Sequence, residues 1–224
     1  MLASCGVAAA SATREPQYQP APADQSWAES IVLGAKDMGS GWKAVSGGGT
    51  MDGSGGDSAT CSSPDESDLV LTGGWSSPDF MRADGAYVSS GAIVWQTADH
   101  AQADWDRNVQ AGLMSCVAAD LEASSTKKVK VVITGRQQLN WPQLAPRSAA
   151  FRISLALKST VKVQRKTRKV SIGATVDFVA VGTGRATAML WTLSYNRQPL
   201  SDFAKQRYAI TMVRRMAVDP AATK

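Results

Sequence analysis

A segment near the middle of the chain, residues 87–121, constrains the fold more than any other. Its first part is rich in β-branched and aromatic residues and predicts a strand that ends at Trp95. The part that follows predicts one long helix, because small and apolar residues recur along one face at steps of three and four. These residues are Ala101, Trp105, Val109, Gly112 and Cys116. The pattern directs Cys116 toward the interior of a domain.

Length and composition predict one globular domain with flexible ends. The chain has 224 residues, of which 44% are hydrophobic, and a chain of this size buries a sizeable core. No apolar run approaches the roughly 20 residues of a membrane-spanning helix. We predict a tether over residues 1–24, one domain over 25–218 and a disordered tail over 219–224. Ser26 marks the start of the domain, because Ser26 and Glu29 have the spacing of a capping box.

Three cysteines and one histidine argue against a metal site or a catalytic thiol. Cys61 lies in a Gly/Ser-rich loop and is the natural partner for Cys116, so we predict a disulfide and an oxidising compartment. Such a bond would contribute about 4 kcal/mol in the loop-entropy model. The alternative is that both thiols are free and buried.

The first residues resemble a bacterial lipoprotein signal. Leu2-Ala3-Ser4-Cys5 is similar to the lipobox, in which the cysteine is acylated and becomes the mature N-terminus. This resemblance implies lipidation of Cys5 and attachment to the outer face of the cell membrane. The apolar segment that precedes a lipobox is missing, so we expect Met1 to be an internal start. A chance occurrence of the four residues is the alternative.

The order of elements also resembles a known layout. Asp37-Met38-Gly39-Ser40-Gly41-Trp42 follows a short first helix, and a loop cysteine, a strand and a helix with a second cysteine come next. This arrangement is similar to actinobacterial cell-envelope lipoproteins and to the extracellular sensor domains of mycobacterial receptor Ser/Thr kinases. Where those proteins typically have Leu-Pro, this chain has Met38-Gly39.

The fold class that we expect is α+β. Period-two alternation predicts strands near residues 129–133, 151–157, 170–180 and 186–195, and a final helix begins at Pro199. The prediction is an antiparallel meander sheet of about five to six strands packed with helices. The kinase-sensor resemblance implies a sheet between helices, as in the PsbP/Mog1-like fold, and an NTF2-like cone is the alternative.

Charge is divided along the chain. Residues 1–122 contain 5 Lys/Arg and 16 Asp/Glu, whereas residues 123–224 contain 19 and 3. One interpretation is charge pairing between interleaved elements, and the other is a basic functional surface. A run of lysines and arginines at a predicted hairpin favours an anionic partner, such as lipid headgroups or a wall polymer. Nucleic acid is disfavoured, because the run lacks the interleaved aromatic residues on which bases stack. The alternative is a solvated edge hairpin. The run comprises Lys158, Lys162, Arg165, Lys166, Arg168 and Lys169.

Seven tryptophans suggest an apolar interior. Four of them fall on or beside inward-facing positions, so they either line a ligand cleft or fill the core. These four are Trp42, Trp95, Trp105 and Trp191.

No catalytic device is evident in the sequence. His100, the only histidine, is predicted to be solvated at a helix start, and no nucleophile is evident beside it. We therefore expect a lipid-anchored extracytoplasmic binding or interaction module, without enzymatic activity, cofactor or metal, that binds a hydrophobic or envelope ligand. An accessory subunit docked on a membrane protein complex is the alternative, and a cell-wall hydrolase is the third hypothesis.

Overall fold

The computed structural model describes residues 15–52, 64–110, 112–163, 166–195 and 199–220. Ten strands form there: β1 (Gln17–Tyr18), β2 (Trp42–Ala44), β3 (Gly49–Thr50), β4 (Val70–Ser76), β5 (Phe80–Arg82), β6 (Tyr87–Trp95), β7 (Val129–Gln138), β8 (Arg147–Val163), β9 (Lys166–Thr183) and β10 (Ala186–Tyr195). The helices are α1 (Pro22–Ile31), α2 (Ala35–Met38), α3 (Ala98–Asp104), a π-helical segment (Trp105–Gln110), α4 (Leu113–Ala123) and α5 (Asp202–Met216). In this part of the chain, no helix combines the length and apolar composition that crossing a membrane requires.

One mixed sheet organises the molecule. Its main path runs β1-β4-β6-β10-β9-β8-β7. Strands β7 to β10 form an antiparallel meander, and β10 then pairs with β6, while β1 adds to β4 in parallel. The α+β class is confirmed. The sheet has more strands than predicted, because β1, β2, β3 and β5 have only two or three residues each and are too short to show alternation.

Helices cover both faces of the sheet. Alternate residues of a strand point to opposite sides, and in β10 one set, which includes Ala188 and Leu190, packs with Trp27 of α1 and Tyr208 of α5. The opposite faces of β8 and β9 pack against the π-helical segment and α4. A smaller cluster, which includes Trp95, lies where α3 meets β4 and β6.

The predicted tether is corrected at residues 15–24. The side chain of Ser26 does not cap α1, which begins four residues earlier at Pro22. Proline lacks an N–H and suits the first turn of a helix. Gly73 of β4 allows this helix to approach closely, since a Cβ at Gly73 would lie 2.5 Å from the carbonyl oxygen of Asp24. The folded part therefore begins before the predicted boundary at residue 25.

The predicted tail is corrected in the same way. The carboxylate of Asp219 accepts a hydrogen bond from Arg185 at 3.0 Å, beyond the predicted boundary at residue 218. Residues 221–224 lie outside the described part of the chain.

The predicted single helix after Trp95 is also corrected, because the π-helical segment separates α3 from α4. Ala101, Trp105 and Val109 are all buried although they are spaced by four and four. In an α-helix, two such steps would rotate a side chain by about 80° away from its face. The wider turn of a π-helix keeps these three residues directed at the sheet.

Candidate functional site

A cavity of about 360 Å³ lies between the sheet and the π-helical segment. Strands β6 and β10 form one wall, and the π-helical segment and the start of α4 form the other. The surface of the cavity is mainly apolar, with three polar residues. The lining residues are Met51, Gly91, Ala92, Ile93, Asp104, Asn108, Val109, Leu113, Thr187, Met189 and Trp191.

The register of the sheet builds a polar row beside this cavity. Thr187 of β10 is opposite Gly182 of β9, and Gly182 is opposite Arg147 of β8. A Cβ at Gly182 would lie 2.6 Å from Nε of Arg147, so the glycine leaves the space that the guanidinium occupies. Nη2 of Arg147 donates to two backbone carbonyls at the β9–β10 turn. Arg147 is therefore fixed in the same row as Thr187.

Four buried side-chain atoms of the described residues have no hydrogen-bond partner: Nε1 of Trp95, Nε1 of Trp141, Nε of Arg147 and Oγ1 of Thr187. Of these four residues, only Thr187 lines the cavity. Thr187 is 5% exposed, and its Oγ1 has no hydrogen-bond partner among the described residues. A buried polar group without a partner costs about 1–3 kcal/mol. Thr187 lines the cavity, so the missing hydrogen-bond partner is one that a ligand in the cavity would supply.

Asp104, which lines the cavity, meets a second carboxyl group, that of Glu66, which does not line it. Nδ2 of Asn108 donates to Oδ1 of Asp104 at 2.8 Å and also donates to Oε1 of Glu66. Burial, and then the negative charge of Asp104, raise the pKa of Glu66 to about 7. Burial also raises the pKa of Asp104, which shares a hydrogen bond with Glu66. Near neutral pH the pair therefore holds a proton that exposed carboxyl groups have already released.

The rim of the cavity combines an aromatic and a thioether side chain. Trp191 is 37% exposed, and its ring meets Phe178 edge to face at 4.3 Å between centroids. On the other side, the backbone N–H of Met51 donates to Gly74 at 3.0 Å, and the side chain of Met51 lies against Gly91. Methionine adapts its shape readily to a neighbouring group.

The four tryptophans predicted to line a cleft do not lie together. Trp191 borders the cavity. Trp95 and Trp105 are buried in two different clusters. Trp42 packs against the cluster on the opposite face of the sheet. Of the four residues, only Trp191 lines this cavity.

The structure places part of the predicted basic patch beside lysines from elsewhere in the chain. Lys158 and Lys169 are exposed on β8 and β9 and line a groove of about 480 Å³ with Lys127, Lys128 and Lys130. Arg168 is also exposed. Arg165 and the side chains of Lys162 and Lys166 lie outside the described part of the chain.

The cysteine predictions fall largely outside the described part of the chain. Cys116 lies on α4, is half-buried, and is not a free thiol. Cys5 and Cys61 lie outside the described residues. The Cys61–Cys116 pairing and the lipidation of Cys5 therefore stay predictions.

The described residues form no group of three or more His, Cys, Asp or Glu that could hold a metal ion. His100 lies in the first turn of α3, as expected, and is half-buried there. Its Nδ1 accepts a hydrogen bond from the backbone N–H of Val70 at 3.2 Å.

The sequence analysis missed the polar residues of the cavity. Alternation along β10 assigns Thr187 to the same face as Met189 and Trp191, and a threonine in an otherwise apolar row was the available signal. Nothing in the sequence indicates that Glu66 and Asp104 meet, since they are far apart along the chain.

Comparisons with known proteins place this chain in no family. No protein-family model matches it, and no curated protein matches it. A solved structure that is similar to this chain is the extracellular domain of PknH from Mycobacterium tuberculosis, with 11% identity and a TM-score of 0.40. The match covers 88% of this chain and 97% of that domain. That TM-score is too low to establish a shared fold.

Proposed function

We propose that this chain is an extracytoplasmic binding module that holds a small, largely apolar ligand in the cavity between β10 and the π-helical segment. The observation that carries the proposal is the unpaired hydroxyl of Thr187 in a mainly apolar cavity. Ligand sites combine apolar walls with a few placed polar groups. The matching ligand has an apolar body and one hydrogen-bonding group that reaches Thr187.

The carboxyl pair favours an uncharged polar group on the ligand. A ligand anion is disfavoured near Asp104 and Glu66, and a proton held by the pair weakens the attraction for a cation. An uncharged alcohol, amide or ester group is not repelled by the carboxyl pair and needs no attraction to it, and it can form a hydrogen bond with the hydroxyl of Thr187. The volume of about 360 Å³ lies at the small end of known ligand sites.

The same pair supports binding rather than hydrolysis. Glycosidases generally hold two carboxyl groups at least about 5 Å apart so that a sugar or a water fits between them. Glu66 and Asp104 instead share a hydrogen bond and leave no such gap. We therefore propose a module without enzymatic activity, which a panel of envelope polymers tests directly. Cleavage of any member of the panel would contradict this part of the proposal.

Anchoring at the outer face of the membrane rests on the lipobox-like start and on the cysteines. Cys116 is not free, and Cys61 is the partner that we propose. Non-reducing peptide mapping should recover a Cys61–Cys116 cross-link. Expression together with the upstream gene sequence should give a lipid-bearing product, and Cys5→Ala should lack the lipid. Retention of the lipid mass in that variant would reject the anchor.

Native mass spectrometry of gently purified protein tests the cavity. We expect a co-purifying adduct of a few hundred daltons, which is the size that such a cavity accommodates. Thr187→Val keeps the shape of the side chain and removes the hydroxyl, so the affinity for the recovered compound should fall by about 5- to 10-fold. Binding should also change the Trp191 fluorescence, and Trp191→Phe should lose that signal.

Thr192→Val is the matched control. Thr192 is buried on the same strand, but its side chain points to the opposite face. The control should bind as tightly as the wild type. Equal effects of the two substitutions, or repeated empty spectra together with no binding in a panel of apolar alcohols and amides, would overturn the proposed ligand site.

A further inference from the structure

We infer that a groove of lysines across β7, β8 and β9 docks this domain onto an anionic phospholipid surface. The lysine groove is defined by Lys127, Lys128, Lys130, Lys158 and Lys169, with a volume of about 480 Å³. It lies at the far end of these strands from the β9–β10 turn, so this inference does not depend on a ligand in the cavity.

The register brings like charges together. Lys130 of β7 is directly opposite Lys158 of β8, and Thr160, two residues further along β8, is opposite Lys169 of β9. Neighbouring strands are about 5 Å apart, and like charges directly opposite each other destabilise a sheet. The fold therefore retains a cross-strand contact that works against its own stability.

No carboxylate of the described residues relieves this repulsion. The ion pairs of the described part of the chain involve none of the five lysines. The sequence contains no Asp or Glu between Glu122 and Asp177, a segment that covers β7 and β8 and about half of β9. In a protein that is merely basic overall, acidic residues would still be expected in this segment. An external anion is the remaining partner for these cations.

The type of cation favours a surface of many phosphates over one tightly held anion. Lysine is a hydrated point charge on a flexible stem, whereas a single bound carboxylate or phosphate is usually gripped by the planar fork of arginine. The groove is also lined by hydroxyl groups that can donate to phosphate oxygens, from Thr126, Thr160 and Ser171.

The shape of the sheet exposes this site to a flat partner. Strand β7 begins at Val129, which is opposite Ser159, so the β8–β9 hairpin continues past β7 for at least four residues on each strand. That extension is about 13 Å long. The groove lies at the base of this projecting hairpin, and clusters of four or more basic residues are typical of contacts with anionic headgroups.

Co-sedimentation of the domain with vesicles tests the inference. We expect binding to vesicles of 30% phosphatidylglycerol in phosphatidylcholine, none to phosphatidylcholine alone, and a steep loss with added salt. Lys130→Gln/Lys158→Gln should weaken binding by about 25-fold, since each lysine near an anionic membrane contributes about fivefold. The matched control is Lys36→Gln/Lys43→Gln, which removes the same charge from two exposed lysines elsewhere.

A thermal readout separates the role in binding from a role in folding. Lys158→Glu places opposite charges face to face, so its Tm should equal or exceed that of the wild type while vesicle binding falls. Equal loss of binding in the groove and control variants would show that net charge alone explains vesicle binding, and it would overturn the inference. If the domain bound a soluble polyphosphate more strongly than the vesicles, the partner would be a soluble polyanion and not a membrane. That result would also overturn the inference.

Discussion

At the scale of single residues, the carboxyl pair of Glu66 and Asp104 makes stability depend on pH. The pKa of Glu66 is raised from 4.5 to about 7 by burial and by Asp104. A raised carboxyl pKa means that the folded protein holds a proton that the unfolded chain releases. The contribution of this proton to the free energy of unfolding is therefore fully present below about pH 4.5 and is lost as the pH rises through about 7.

Glu66→Gln should remove most of this dependence. We expect the free energy of unfolding of the wild type to fall by about 1 kcal/mol between pH 5 and pH 8.5 relative to the variant, a figure reduced for partial exposure of the group. Urea unfolding across that range measures it. Asp68→Asn is the control, because the ion pair with Arg107 holds the pKa of Asp68 near 2, far below the window. Parallel curves for the wild type and Glu66→Gln would contradict the assignment.

The limits of prediction are clear at this scale. The sequence indicates which face of β10 Thr187 occupies, because alternation needs only neighbouring residues. It does not indicate that Glu66 comes to lie beside Asp104, because that contact depends on how a loop returns to a helix. The six predicted basic residues include Lys158 and Lys169 but not Lys130, which only the strand register brings opposite Lys158.

At the scale of elements, α5 is held to the sheet by a buried ionic contact. Nζ of Lys205 lies 2.6 Å from Oδ2 of Asp177 on β9 and 2.8 Å from Oδ1 of Asp202. Lys205 is 0% exposed and Asp177 is 1% exposed. Arg152 of β8 adds a two-pronged contact to the same carboxylate. Removing one partner leaves the other buried with incomplete compensation.

A double-mutant cycle measures the contact between Lys205 and Asp177. Lys205→Met and Asp177→Asn should each cost about 2–3 kcal/mol of unfolding free energy, somewhat less than a fully isolated buried pair, because Arg152 and Asp202 remain. The double variant should be more stable than the sum predicts, by about 1 kcal/mol. Additive losses would show that the two groups do not interact. The more exposed pair Arg82–Asp84 is the control, with single losses below about 1 kcal/mol.

The sequence predicted α5 well and the helices after Trp95 only in part. For α5, Ser201 has the type of an N-cap residue, and its Oγ accepts from the backbone N–H of Ala204 at 3.3 Å. For the helix that follows β6, spacing alone does not separate an α-helix from a π-helical turn. Successive steps of four between Ala101, Trp105 and Val109 were the signal for the π-helical turn. They indicate it only once all three residues are known to face the sheet.

At the scale of the whole molecule, the pairing of β10 with β6 is what the sequence could not show. Local alternation predicts a meander from β7 to β10, because each strand follows its neighbour. It does not specify which earlier strand β10 joins, and that choice creates the wall of the cavity. Ile93 of β6 is opposite Thr187 of β10 across a separation of more than ninety residues.

One arginine ties both ends of the domain to the centre of the sheet. Arg185, in the β9–β10 turn, donates to both carboxylate oxygens of Asp24 near the start of α1, each at 3.0 Å, and to Asp219 beyond α5. Its guanidinium also lies 5.5 Å from the ring centroid of Trp27. A planar fork makes these contacts simultaneously, and the ammonium group of lysine does not reproduce them.

Arg185→Lys should therefore loosen both ends together. We expect faster amide exchange over residues 17–31 and 213–219 alike, with a loss of about 2 kcal/mol in unfolding free energy. Hydrogen exchange read by mass spectrometry resolves the two regions. Arg82→Lys, whose partner Asp84 is two residues away, should change only local exchange. If α1 kept its protection while the C-terminal segment lost it, Arg185 would hold that segment alone, and the ends of the domain would not be coupled through the sheet.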